Sequence, residues 1–232
     1  MHLLHEKTRT LAILLVGATS LGAWSAVGLA LVDIRASVGT SQSNYQNTAD
    51  GTGEPVADSD DNEFTDKGTQ TSIALDLAPL MGVPLAFGGF YSMTNAKGTL
   101  SSGLGTKINS GRGGLDVVGW VPMPKLRPYF RLGYYLFGQE NITVTDIVVL
   151  GQDATVKYPL KVSGYQLGVG VGFSVLPMIS VFAEYTMDKY TLTGKKTVLT
   201  IGDSIAETAD SPENRVLTNN ASAISVGLGL SI

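Results

Sequence analysis

The sequence predicts an all-β protein: an eight-stranded antiparallel up-and-down transmembrane β-barrel preceded by an N-terminal signal peptide. Three observations carry that expectation. Segments of about ten residues alternate apolar with small or polar side chains, the length a tilted strand needs to cross a bilayer. The connections between these segments alternate short and long. After the N-terminus no uninterrupted apolar run of about 20 residues occurs, which excludes a bundle of membrane helices.

The chain begins with MHLLHEKTR, carrying Lys7 and Arg9, followed by the short apolar stretch TLAILLVGATSLGAW. Ala23 and Ser25 are small residues at the spacing read by a signal peptidase, so residues 1–26 read as a secretory signal cleaved after Ser25 or Ala26. An uncleaved anchor is the alternative; the stretch is short and interrupted by glycine. Cleavage removes Lys7, Arg9 and Glu6, a net +1, so the whole-chain charge of −4 becomes −5. It also removes His2 and His5, the only histidines.

The first strand is expected over 28–39, where Ala30, Val32, Ile34, Ala36 and Val38 alternate with Leu31, Asp33, Arg35, Ser37 and Gly39. The second, about 69–78, sets Ile73, Leu75 and Leu77 against Ser72, Ala74 and Asp76. The third, about 84–94, sets Leu85, Phe87, Tyr91 and Met93 against Ala86, Gly88, Phe90 and Ser92. The fourth, about 113–121, opposes Leu115, Val117 and Val121 to Gly114, Asp116 and Trp120. The fifth, about 128–138, opposes Phe130, Leu132, Tyr134 and Leu136 to Arg131, Gly133 and Tyr135.

The sixth, 164–175, has the clearest pattern: Tyr165, Leu167, Val169, Val171 and Phe173 share one face, and Gln166, Gly168, Gly170, Gly172 and Ser174 the other. Glycine on the second face suits a cramped interior, with the bulky face turned to an apolar medium. The seventh, about 179–190, opposes Ile179, Val181, Ala183, Tyr185 and Met187 to Ser180, Phe182, Glu184 and Asp188. The eighth, about 221–232, opposes Ile224, Val226, Leu228 and Leu230 to Ser225, Gly227, Gly229 and Ser231.

Strands two to three, four to five and six to seven are joined by PLMGVP, PMPKLR and VLPMI, each short and containing proline. The other connections, over about 43–67, 95–112, 139–160 and 191–220, are expected as long polar loops on the external side, with both termini on the short-turn side. A soluble barrel has no reason to segregate its connections in this way. Within the third long connection, ITVTDIVVL and ATVKYPLKV flank GQD and read as a hairpin with exposed edges standing beyond the membrane, bearing the apolar patch Ile147, Val148, Val149 and Leu150. Ten strands is the competing count.

This pattern resembles the small outer-membrane barrels of the OmpA/OmpX-like family over residues 27–232. The last strand, AISVGLGLSI, is similar to the C-terminal signal read by the outer-membrane assembly machinery, although that family usually ends in an aromatic residue and this chain in Ile232. The resemblance implies residence in the outer membrane of a diderm bacterium and contact with its lipid and lipopolysaccharide.

Composition excludes several functions. With 232 residues the chain is one domain. The absence of cysteine removes disulfides and thiolate metal sites. An acidic balance argues against nucleic acid. Barrel hydrolases depend on a histidine beside a nucleophile, and a cleaved chain has none, so no catalytic residue, cofactor or metal ligand is assigned. Asp58, Asp60 and Asn62 have the spacing of a calcium loop, but Glu63 stands where glycine is required and Thr69 where a glutamate is; 58–66 reads as a solvated acidic loop. GRGG at 111–114 reads as the flexible start of a strand. Tyr91, Trp120, Tyr129, Phe130, Tyr134, Tyr135, Tyr185 and Tyr190 partly suit interfacial girdles, with Trp120 on the lumen side unless the register slips near Gly119.

Asp33, Arg35, Asp76, Asp116, Arg131 and Glu184 fall on the inward face and are expected to form a paired ionic cluster, because unpaired buried charge is costly. Asp116 and Arg131 are the preferred pair. The functional expectation is a non-enzymatic barrel with a structural or surface-interaction role, with an extracellular protein as possible partner. The alternative is a narrow channel or a carrier of small hydrophobic molecules.

Overall fold

The computed structural model describes residues 32–49, 64–78, 84–100, 102–121, 123, 126–149, 151–176, 178–202 and 204–232. The proposed signal segment, residues 58–63 of the acidic stretch and Leu150 lie outside them. Eight strands form a closed antiparallel barrel in sequence order: β1 (Val32–Ala49), β2 (Phe64–Leu77), β3 (Leu85–Thr99), β4 (Gly105–Trp120), β5 (Leu126–Val149), β6 (Gln152–Leu176), β7 (Ile179–Ile201) and β8 (Ser204–Ser231). Closure of β8 on β1 runs from Asp33↔Ser231 to Ala49↔Val216.

Stagger fixes the shape. Stepping across paired residues from Asp33 through Asp76, Gly88, Asp116, Gly133, Gln166, Asp188 and Ala221 returns to β1 at Ser43, ten positions further on. For eight strands this stagger corresponds to a tilt of about 40°, within the range expected of small barrels. Alternation then sorts the side chains. Leu75, Phe87, Leu115, Leu132, Val169, Val181 and Leu228 are among the large apolar residues facing outward. The outward apolar belt runs over about 32–40, 71–77, 85–93, 113–121, 126–137, 165–176, 179–187 and 224–231. Ten residues per strand at this tilt give a band about 25 Å tall, the height of a bilayer core as seen by such barrels. Exposed apolar surface on this scale is stable only in lipid.

The strands are longer than the sequence predicts, and apart from a residue or two on β5 and β6 the extra length lies at the end away from the termini. Three of the four expected long loops are strand for most of their length, closing through 100–104, 150–151 and 202–203. They escape periodicity because their outward residues are Lys, Thr, Asn and Gln instead of apolar, so the alternation is read there as polar loop. The hairpin is therefore a continuation of the wall. Its β6 side is covered by β7 as far as Ala154↔Ile201 and its β5 side by β4 as far as Thr106↔Val144. The expected exposed edges reduce to Thr145–Val149 of β5. Asp146 there has φ 64°, and its carboxylate accepts from the Gly105 N–H at 3.2 Å; Gly151 turns the hairpin at φ 78°.

Candidate functional site

Among the described residues, buried polar chemistry is concentrated in the lumen, which is filled in tiers. At the end nearest the termini Val118, Tyr129 and Phe182 pack together with Trp120 against them. Tyr129 and Phe182 meet edge to face at 6.4 Å between centroids. Trp120 faces inward without any slip at Gly119, whose partners Leu85 and Phe130 are in register, and the Arg127 guanidinium lies 5.7 Å from its ring.

Above this sill is a closed ring of alternating charge. Arg35 Nη1 lies 3.6 Å from Glu184 Oε2, Arg131 Nη1 3.1 Å from Glu184 Oε1, and Arg131 Nε 3.3 Å from Asp116 Oδ2; Arg35 Nη2 closes the ring at 4.0 Å from Asp116. Asp76 binds Arg35 from outside it, accepting from Nε at 3.0 Å and Nη2 at 2.5 Å. The Tyr129 hydroxyl donates to Glu184 at 2.6 Å, and its ring lies 5.3 Å from the Arg35 guanidinium. All five charged side chains are buried. Asp33 stands apart from them at the mouth, half-buried, accepting from Ser231 Oγ at 3.1 Å.

A neutral layer follows. Phe90 packs edge-on against Tyr135 at 5.4 Å, and Gln166 Nε2 donates to the Tyr135 hydroxyl at 3.4 Å. The next tier is centred on Arg112, fully buried, whose guanidinium lies 5.4 Å from the Tyr135 ring and 4.6 Å from the Tyr190 ring. Its Nη2 donates to Thr94 at 3.3 Å and to Asp188 at 3.4 Å. Cation–π attraction is worth most where the cation is desolvated, as here.

Higher still, beyond the apolar belt, Tyr190 donates to Glu140 at 3.1 Å and accepts from Asn219 at 2.6 Å, while Thr106 donates to Asp66 at 2.7 Å. Burial pushes the Glu140 carboxyl up from its ordinary value, against the opposing pull of Arg112 and of hydrogen bonds from Tyr45 and Tyr190. Burial likewise raises Asp66, with the Thr106 hydrogen bond acting against it. An apolar roof of Ile108, Ile142, Leu160, Leu192 and Tyr45 completes the filling, with Tyr45 stacked on Phe64 at 4.5 Å.

Several placements correct the sequence reading. Tyr129, Tyr135 and Tyr190 face the lumen and are buried, so they do not belong to an interfacial girdle; Tyr91, Phe130, Tyr134 and Tyr185 face outward. Asp66 is a fully buried lumen residue rather than part of a solvated loop. The GRGG run lies inside β4, where the register shifts between Gly113 and Gly114. A Cβ on Gly114 would collide with the Tyr134 carbonyl oxygen.

Of the upper tier, alternation on the seventh strand places Asp188 alone on the inward face. Asp188 and Tyr190 share the parity of Glu184 and were readable from it. Glu140 was not, because the shift opposite Gly113 and Gly114 leaves Leu136 and Phe137 both outward and reverses parity along β5 from odd to even inward positions. At the rim, Val148 is 67% exposed, while Ile147 and Val149 are half-buried.

No protein-family model matches the chain, and no curated protein matches it. Among solved structures it is similar to the outer membrane protease OmpT from Escherichia coli at a TM-score of 0.53 and 10% identity, covering 87% of this chain and 96% of that one. Neisserial surface protein A follows at 0.49 and 13%, covering 87% and 97%. A major outer membrane protein from Thermus thermophilus stands at 0.45 and 14%, covering 85% and 99%. At such identity the first likeness is one of fold. Together with the apolar belt, it gives this chain the fold of a membrane-spanning β-barrel of the kind found in outer-membrane proteins.

Proposed function

We propose that this barrel is a non-enzymatic surface protein whose tall far-end wall makes contact with an extracellular protein, while its lumen serves as a structural plug. The observation that carries the reading is the height of the wall: β5 to β8 run far past the apolar belt, and their rim exposes Val148 beside an uncovered edge, Thr145–Val149 of β5; among the described residues β8 likewise runs past the end of β1 from Ser204 to Arg215. An uncovered edge is a template for a strand from a partner. The tiers of charge and aromatic rings favour a plug over a channel, since Arg35, Arg112 and Arg131 each meet a carboxylate and the rings of Phe90, Tyr129, Tyr135, Phe182 and Tyr190 pack between them.

The test is a rim replacement. Residues 146–152 are exchanged for a short Gly-Ser turn, a cut confined to the rim because Ile142, Val144, Ala154 and Leu160 are buried beneath it. The barrel should keep its shift in gel mobility on boiling, and cells displaying it should lose adhesion to matrix proteins. Adhesion equal to that of the parent would sink the surface reading.

A further inference from the structure

Lysine is confined to the outside of the wall among the described residues. All eight described lysines are exposed, whereas Asp66, Glu140 and Asp188 of the upper barrel face the lumen. Lys67, Lys97 and Lys107 are directly opposite one another on three adjacent strands, and the same row continues through Thr143 to Lys157. At the spacing of neighbouring strands, four lysines fall on a line about 19 Å long. Like charges directly opposite across a sheet destabilise it. Around Lys67 and Lys97 no acid among the described residues relieves them: the outward residues there are Thr65, Thr69, Asn95 and Thr99, and only at the Lys107 end does an outward carboxylate, Asp146, come near, held at the Gly105 N–H. The nearest acid in sequence, Asp66, points through the wall into the lumen and is held by Thr106.

The row starts past the apolar belt and climbs across the tilted strands, so that Lys107 stands eight positions past Leu115, the last exposed apolar residue of β4. Met93 is the last outward apolar residue of β3, and Lys97 lies four positions further, about 10 Å along the barrel axis at this tilt. That is the level of the headgroups. We infer that the Lys67–Lys97–Lys107 row is a docking site for phosphate-bearing headgroups of the outer-leaflet lipid, which supply negative charge beside Lys67 and Lys97, where the described protein face has none. Ammonium groups are suited to this as point charges for phosphate, with the flanking hydroxyls and amides as further donors. The inference rests on the membrane placement of the belt and is independent of the proposed surface role.

The test compares the parent barrel with K67Q/K97Q/K107Q in nanodiscs of phosphatidylcholine alone and of phosphatidylcholine containing lipid A, reading the midpoint of heat-induced loss of the compact gel band. In phosphatidylcholine the triple variant should be the more stable, its repulsion removed. With lipid A the order should reverse, the parent gaining and the variant not. That gain should fade at high salt, and the parent's affinity for lipid A should exceed the variant's by roughly a hundredfold at low salt, at about fivefold per lysine near an anionic surface.

The same order of stability in both lipids would overturn the proposal. So would a gain produced in phosphatidylcholine discs by soluble heparin but not by lipid A, which would make a polysaccharide the occupant. Should the triple variant not fold, K97Q alone removes the centre of the row and should show the same reversal at smaller size; no reversal there counts against the site equally.

Discussion

Arg131 Nε lies 3.3 Å from Asp116 Oδ2, although the two residues are not opposite each other on their strands: Arg131 is paired with Val118 and Asp116 with Gly133. The diagonal is open because Gly133 has no side chain, and the space above it is taken by the ring of Phe90. Such diagonals are within reach of a long side chain. The ion pair is thus a product of strand register, and the register is fixed in turn by which face meets lipid.

Arg131→Ala should leave Asp116 with only the more distant Arg35 and cost roughly 3–5 kcal/mol. Arg131→Met combined with Asp116→Leu should recover much of that loss, since Glu184 retains Tyr129 and Arg35. Urea titration in lipid reads both, and equal stability of Arg131→Ala and the parent would mean a solvated pair and a wet lumen.

The upper tier makes a separate demand on Arg112. Arg112→Lys keeps the charge beside Asp188 but loses the planar stack on Tyr135 and Tyr190, and should cost about 1–2 kcal/mol. Arg112→Met abandons Asp188 as well and should cost more. A lysine variant as stable as the parent would show that the ring contacts contribute nothing.

Gly114→Ala should destabilise the barrel by roughly 1–3 kcal/mol, because the added methyl meets backbone that cannot turn aside. Gly103→Ala offers a control where the methyl meets nothing nearby, with strain confined to a positive φ of 86°. A smaller loss at Gly114 than at Gly103 would contradict the close approach.

What was legible in the sequence follows from where lipid is. Within the belt, one face must be apolar and the other small or paired, so alternation exposes both the eight strands and the inward positions of Arg35, Asp76, Asp116, Arg131 and Glu184. Beyond the belt the outward face turns to Lys and Thr, and Ile142, Leu160 and Leu192 pack inward instead. The period of two persists with its polarity reversed, and that is hard to distinguish from loop. Glu140 adds a parity change on β5, which no periodic reading carries across Leu136 and Phe137. Arg112 fell in a segment that reads as loop for the first reason alone.

The buried carboxyls beyond the belt make stability depend on pH in a fixed direction. Burial raises Glu140 above its ordinary value of 4.5, so the folded state holds its proton longer than the unfolded chain. Below that value both states are protonated and the difference vanishes. As pH rises past it, the unfolded chain ionises first, and stability falls until the folded carboxyl ionises too. Asp66, raised from 3.8, acts with the same sign. Glu140→Gln should therefore flatten the decline of the unfolding midpoint with rising pH; a steeper decline would mean that the Arg112 and tyrosine contacts outweigh burial.

The central claim is that the lumen is a packed plug of paired charge, and planar-bilayer recording tests it most directly. Purified barrel inserted into a bilayer should give no stepwise conductance across a wide voltage range. Discrete, lasting conductance steps from the unaltered protein would contradict the plug and make a water-filled channel through the Arg35–Glu184–Arg131–Asp116 ring the better account.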